Sequence, residues 1–128
     1  MDRKILVDKD INEGQILIVA LDKADFQIKA AFWFYLPDSD EWRLYIGTPF
    51  EAKLGPIKAY GFIQNELSKL SPPIEISLKD ISVVNPKDEL IGILKSAVQT
   101  GPGISGIRFT RNVINNKFID GAYIYRML

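Results

Sequence analysis

The stretch from residue 26 to residue 47 reads FQIKAAFWFYLPDSDEWRLYIG, and its pattern decides the fold. Apolar residues occupy alternate positions over Phe26–Leu36, which is the period of a β-strand. The polar segment that follows contains Pro37 and predicts a turn, and the alternation resumes over residues 42–47. Two alternating segments joined by a short polar turn predict an antiparallel hairpin.

This alternation gives the hairpin one apolar face and one face of aromatic and polar residues. The opposite face carries Trp33 and Tyr35, and we assign Arg43 and Tyr45 of the second strand to the same side. We expect the apolar face to contact the core and the aromatic face to lie open. On the first strand, the apolar face consists of Phe26, Ile28, Ala30, Phe32, Phe34 and Leu36.

Helices and strands alternate through the rest of the chain. Asn12 resembles a helix N-cap and predicts a helix over residues 13–24, although the β-branched run 16–19 fits a buried strand almost as well. Pro56 predicts the start of a second helix, which ends before Pro72. The remaining predicted elements are a strand over 81–84, a helix after Asn85–Pro86, a strand over 107–111, tight turns at 115–117 and at Asp120–Gly121, and a final strand over 122–126.

The order of these elements predicts the fold class. The order α-β-β-α-β-α-β-β, with hairpins at both ends, indicates an α+β protein with a mainly antiparallel sheet of about five strands and helices packed on one face. The length of 128 residues fits one domain, and no repeat or linker divides it. We therefore expect residues 1–128 to form a single domain.

The composition excludes several kinds of site. The chain contains no cysteine and no histidine, which excludes disulfides, thiol nucleophiles, the usual general base and most zinc sites. Sixteen basic and sixteen acidic residues give a net charge of zero, so binding to nucleic acid or to a membrane would need a local patch. We expect no cofactor, no bound metal and no membrane association.

The aromatic face of the predicted sheet is the strongest candidate binding surface. It suits a homodimer interface or another protein partner, because large aromatic side chains bury much area. Arginine beside stacked rings also suits an anionic small molecule or single-stranded nucleic acid, including the substrate of an enzyme. We favour a small interaction or accessory protein that self-associates through this face. The candidate residues are Trp33, Tyr35, Arg43, Tyr45, Arg108, Arg111, Tyr123 and Tyr125.

Three other features are weaker candidates. The glycine-rich loop 100–106 follows a helix and precedes a strand, whereas phosphate-binding loops run from strand to helix, so we interpret it as a turn. The acidic hairpin turn 38–41 is interpreted as solvated rather than as a metal site. Arg126 is a further candidate for clamping an anion, if the last two strands pair.

Part of the pattern lies in four segments: AAFWFY (30–35), EWRLYI (41–46), GP (55–56) and YIYR (123–126). Together these segments resemble an uncharacterised family of small bacterial proteins of similar length. No activity is assigned to that family, so the resemblance implies a bacterial, cytoplasmic protein and no functional residue. The hydropathy agrees with this expectation, because the longest apolar run, residues 16–21, is too short to cross a bilayer and the first residues lack an apolar signal segment.

Overall fold

The computed structural model describes residues 5–128, which form nine helices and strands in the order α-β-β-α-α-β-α-β-β. The predicted α+β class is confirmed, with one helix added. None of the helices in this part of the chain is long and apolar enough to cross a membrane. The elements are α1 (Asp8–Lys23), β1 (Ala30–Leu36), β2 (Glu41–Gly47), α2 (Pro49–Leu54), α3 (Pro56–Lys69), β3 (Ile81–Val84), α4 (Glu89–Lys95), β4 (Ile107–Ile114) and β5 (Lys117–Met127).

The five strands form one sheet in the order β3-β2-β1-β5-β4. Strand β1 lies at the centre and pairs antiparallel with β2 on one side and with β5 on the other. Strand β4 pairs antiparallel with β5, whereas β2 and β3 pair in parallel. The mainly antiparallel sheet that the sequence predicts is therefore confirmed. Its central strand reads AAFWFYL because both of its faces are covered.

Helices cover both faces of the sheet. On what we call the first face, Trp33 and Tyr125 pack in one cluster with apolar residues of α1 and α3. On the second face, Phe32 and Ile124 pack in a separate cluster with Leu94 of α4. The prediction that the helices lie on one face is wrong in this respect, because α4 packs on the side opposite to α1 and α3.

Helix α1 begins at Asp8 rather than at residue 13. The side chain of Asp10 accepts a hydrogen bond from the backbone N–H of Val7 at 3.2 Å, which places the helix N-terminus there. Asn12 is consequently inside the helix and does not cap it. The alternative of a buried strand over residues 16–19 is wrong, since this run forms the middle of α1.

The first strand begins at Ala30 rather than at Phe26. Asp25 and Gln27 have φ angles of 60° and 58°, and these left-handed residues interrupt the extended backbone before the strand. Phe26 is nevertheless fully buried, and its ring stacks on that of Phe50 in α2 with 5.0 Å between centroids. The apolar alternation identified a buried residue here but extended the strand too far.

Side-chain caps set the starts of α2 and α4. The hydroxyl of Thr48 accepts a hydrogen bond from the backbone N–H of Phe50 at 3.2 Å, and Pro49 follows it, so the short helix α2 begins there. The carboxylate of Asp88 accepts a bond from the N–H of Leu90 at 3.1 Å and caps α4. Helix α4 therefore begins later than the predicted cap Asn85–Pro86.

The last hairpin turns at Asn115 and Asn116. Their φ angles of 53° and 64° are left-handed, as a two-residue hairpin turn requires. This predicted turn is confirmed. The second predicted turn, at Asp120–Gly121, is wrong, because both residues lie inside strand β5.

Candidate functional site

Three aromatic rings of the predicted binding face are buried. Trp33, Tyr35 and Tyr125 are each at most 5% exposed. The indole Nε1 of Trp33 donates a hydrogen bond to Oη of Tyr125 at 2.9 Å, and that hydroxyl donates to the carbonyl oxygen of Ile11 in α1 at 2.7 Å. The expectation that these rings lie open is therefore wrong. Self-association through Trp33 and Tyr125 would require α1 to leave the sheet.

Gly14 allows helix α1 to lie directly on this ring pair. A Cβ atom at position 14 would lie 2.3 Å from Oη of Tyr125 and 3.1 Å from Nε1 of Trp33. Burial raises the pKa of Tyr125 well above its usual value, so the hydroxyl stays protonated and donates to Ile11. A glycine inside an apolar helical stripe was the available sequence signal for this close contact.

Arg43 and Tyr45 do not share a face with Trp33 and Tyr35. Trp33 pairs with Leu44 across the hairpin, so the residues on either side of Leu44 point to the second face. A difference of one residue in register moves every side chain of a strand to the opposite face. The predicted assignment of these two residues is therefore wrong.

Both residues make structural contacts on the second face. The guanidinium of Arg43 connects β2 to β3, because it donates to Oγ of Ser82 at 2.9 Å and to the carbonyl oxygen of Ile81 at 3.0 Å. The ring of Tyr45 stacks on that of Phe32 with 5.2 Å between centroids. These contacts account for Arg43 and Tyr45 without a ligand.

Other predicted site residues converge on a pocket formed by β1, β2, β4 and β5. This pocket has a volume of about 270 Å³, and three residues of the predicted site, Tyr35, Arg108 and Arg111, line it. Tyr123 lies next to it, with the guanidinium carbon of Arg108 5.4 Å from the centre of its ring. The lining also includes residues outside the predicted site, mainly Leu6, Trp42, Phe109, Thr110 and Asp120.

Two guanidinium groups give this pocket a positive rim. Both arginines are exposed, and neither forms an ion pair or side-chain hydrogen bond with another residue between 5 and 128. Asp120 is the acidic residue of the lining, so the charged side chains there sum to a positive value. Arg111 has a φ of 47°, an uncommon value for a residue other than glycine, at a point where the regular pairing of β4 with β5 is interrupted.

Trp42 and Gly121 form part of the pocket that the sequence pattern did not identify. A Cβ atom at position 121 would lie 2.7 Å from the ring of Trp42, so the glycine allows the indole to lie against β5. The centroids of Trp42 and Tyr35 are 5.5 Å apart. Glycine inside a strand pattern often marks such a close approach, and this signal was interpreted as a turn.

The glycine-rich loop has a structural role. A Cβ atom at Gly106 would lie 2.4 Å from Oη of Tyr123, so this glycine makes room for the ring beside the pocket. The backbone N–H of Ser105 donates to the carbonyl oxygen of Tyr125 at 2.7 Å, and the hydroxyl of Thr100 accepts from the N–H of Met127 at 2.8 Å. The loop is thus attached along β5, which agrees with its interpretation as a turn.

Arg126 does not reach the pocket. It is 4% exposed, and its guanidinium donates to both carboxylate oxygens of Asp22 at 2.9 and 2.8 Å. Its Nε also donates to the carbonyl oxygen of Gly103 at 3.3 Å. Arg126 therefore joins α1, β5 and the glycine-rich loop, and the idea that it clamps a ligand is wrong.

The acidic residues show no arrangement of metal ligands. Within residues 5–128, no three or more acidic side chains are placed to hold a metal ion. Asp40 of the hairpin turn accepts a hydrogen bond from the hydroxyl of Tyr35. Trp42 also lines a second pocket, where Glu13 accepts bonds from the backbone N–H groups of Glu75 and Ile76 at 2.9 and 3.3 Å. These carboxylates hold the backbone in place.

No protein-family model, curated protein or solved structure matches the chain. The resemblance to a family of small bacterial proteins therefore stays a prediction. The roles of individual residues rest on the geometry described above.

Proposed function

We propose that the protein binds a small anion with an apolar body in the pocket beside Trp42. The observation that carries this proposal is the pair Arg108 and Arg111, which lie at a largely apolar pocket without an acidic partner among the described residues. Arginine recognises carboxylate and phosphate groups through two parallel hydrogen bonds. The ligand's anionic group would meet these side chains.

The apolar walls favour a ligand that is more than a simple ion. Leu6, Trp42 and Phe109 offer surface on which a ring or short hydrocarbon group can be buried. The volume of about 270 Å³ suits a bicyclic aromatic acid or a mononucleotide. This is the anionic small-molecule alternative that the sequence suggested, moved from the sheet face to its edge.

Single-stranded nucleic acid is less well supported than a small molecule. Binding of unpaired bases needs several open rings on which successive bases can stack. Trp33 and Tyr125 are buried under α1, so the first face offers no such row. The proposed ligand therefore occupies one pocket and does not extend along the sheet.

Tryptophan fluorescence tests this proposal. Trp42 lines the pocket whereas Trp33 is buried, so a ligand in the pocket should change the emission of Trp42. We expect naphthalene-2-carboxylate and adenosine monophosphate to give saturable changes that weaken as salt is added. Their neutral counterparts, naphthalene-2-carboxamide and adenosine, should bind at least about tenfold more weakly, since a hydrogen bond to a charged group contributes about 1.5–3 kcal/mol.

A charge-matched pair of variants separates the arginines from general electrostatics. The double variant R108Q/R111Q should lose the preference for the anion, whereas K87Q/K95Q, which removes two exposed lysines of the α4 region, should keep it. Equal affinity for each acid and its neutral counterpart, or equal loss in both double variants, would contradict the proposal.

Self-association is a second candidate, supported by a different surface from the one first predicted. Val113 and Phe118 pair across the β4–β5 hairpin and are 62% and 59% exposed. Phe118 and Lys117 line a groove with Glu89 of α4, and these opposite charges suit a two-fold interface with a second copy. Light scattering over a range of concentrations should then show a dimer that V113Q/F118Q abolishes. A monomer at all concentrations would rule this candidate out.

A further inference from the structure

The corner between α2 and α3 exposes apolar side chains between two lysines. Its sequence is Lys53-Leu54-Gly55-Pro56-Ile57-Lys58. Ile57 is 86% exposed and Leu54 is 47% exposed, although both are large apolar side chains. Both lysines are exposed as well. The corner is thus an apolar tip with a positive charge on each side.

Local backbone geometry holds this tip away from the core. Gly55 has a φ of 85° and separates the two helices, and Pro56 occupies the first position of α3. A Cβ atom at position 55 would meet no other atom within 4 Å, so the corner is convex. Helix α2 is fixed from the other side, because Phe50 stacks on Phe26 and on Phe62. Leu54 and Ile57 therefore stay outside the core.

The charges around the corner are predominantly positive. Neither Lys53 nor Lys58 forms an ion pair in the part of the chain that the structure describes. Asp25 lies beside Lys53 in a shallow pocket, and Glu51 belongs to the same helix. The same end of the molecule also carries exposed lysines at the end of α1 and before β1, which outnumber these two acidic residues: Lys23 and Lys29.

We infer that this corner docks onto the surface of a membrane that contains anionic lipids. A convex apolar tip fits between lipid headgroups, whereas a protein partner would need a matching cavity. Lysine side chains that flank such a tip keep their ammonium groups at the level of the headgroups, where anionic lipids attract them. The neutral net charge of the chain predicted no membrane association, but surface attraction depends on the local patch. The inference is independent of the pocket.

Vesicle flotation tests this inference. The full chain is mixed with vesicles that contain about 30% phosphatidylserine in phosphatidylcholine, or with phosphatidylcholine alone, at low salt. We expect the protein to float with the anionic vesicles and to be released as salt is added. Replacing both apolar residues, in L54Q/I57Q, should abolish flotation. Each of K53Q and K58Q should weaken it about fivefold.

A matched control uses an apolar residue of the same exposure elsewhere. Ile16 on α1 is 47% exposed, as is Leu54, so I16Q should float like the original protein. All of these positions are exposed, and circular dichroism of each variant checks that the fold is kept. No flotation of the original protein, equal flotation with both kinds of vesicle, or flotation that L54Q/I57Q leaves unchanged would overturn the inference. Loss of a protein contact in L54Q/I57Q, without any effect on flotation, would assign the corner to a protein partner instead.

Discussion

The covered part of the first sheet face and the open pocket beside it use the same residue types in opposite ways. In the covered part, Trp33 donates to Tyr125, and Arg126 is paired with Asp22 at 2.8 Å. No buried side-chain nitrogen or oxygen among the described residues lacks a hydrogen bond. In the pocket, the guanidinium of Arg108 has no carboxylate partner within residues 5–128. Tryptophan and arginine thus mark a site only where the fold leaves them uncovered.

Small residues and ion pairs decide which part is covered. Gly14 allows α1 to lie on the ring of Tyr125, and Asp22 near the end of the same helix pairs with Arg126. Strand β4 is at the edge of the sheet, so its arginines lie beyond these contacts. If this comparison is correct, substitutions in the covered part should change stability, and substitutions in the pocket should change binding.

The largest loss of stability is expected when Asp22 is replaced by alanine. The change leaves the guanidinium of Arg126 buried without a countercharge, and we expect a loss of roughly 2–3 kcal/mol in the free energy of unfolding. Asp22 is partly exposed, which keeps the cost below that of a fully buried pair. Urea denaturation measures it. As a control, E75A removes an exposed pair with Lys9 and should leave stability unchanged, so equal effects would contradict this account.

Gly14→Ala should destabilise the protein by about 1–3 kcal/mol, because the added methyl group overlaps the hydroxyl of Tyr125. Gly61 in α3 is the matched control, since a Cβ atom there meets nothing within 4 Å. Gly61→Ala should stabilise by up to about 1 kcal/mol through helix propensity alone. Thermal unfolding of the two variants measures the opposite signs. If both substitutions stabilise, α1 does not lie as closely on the sheet as described.

Stability should fall at high pH through Tyr125. Burial raises its pKa in the folded chain, whereas the unfolded chain has a tyrosine pKa of about 10. The contribution of the protonated hydroxyl is therefore present below about pH 10 and is lost as the pH rises further. The measurement is urea denaturation at increasing pH, with Y125F as the comparison. The variant should show a smaller alkaline loss, and identical losses would contradict the prediction.

The smallest effect on stability is expected from R108Q/R111Q. Both side chains are exposed and unpaired within the described part of the chain, so the free energy of unfolding should change by less than about 0.5 kcal/mol. Urea denaturation measures this. A large destabilisation would mean that these arginines hold the fold together, and the contrast with Arg126 would disappear.

Sequence reasoning identified the local elements better than their relations. The hairpin around Pro37, the strand Ile81–Val84 and the turn at Asn115 followed from alternation and turn chemistry, which act over a few residues. The side of the sheet on which Tyr45 lies depends on the register of the hairpin, and the burial of Trp33 depends on a distant helix. One chain's pattern contains neither of these facts.

The candidate site was predicted in part for the same reason. Arg108 and Arg111 could be named from residue type, and they reach the pocket because β4 is an edge strand. Trp42 was placed on the core side of its strand, and Gly121 was interpreted as a turn. Their contact joins residues far apart in the chain. Glycines inside regular patterns were the signals that would have improved the prediction.

The most direct test of the proposed pocket follows the two tryptophan indole N–H signals by nuclear magnetic resonance during titration with naphthalene-2-carboxylate. The variant W42F assigns the two signals. We predict that the signal of Trp42 shifts and saturates while that of Trp33, bonded to Tyr125, stays in place, and that the shift is lost in R108Q/R111Q. No shift at millimolar ligand, or an unchanged titration in the double variant, would contradict the account.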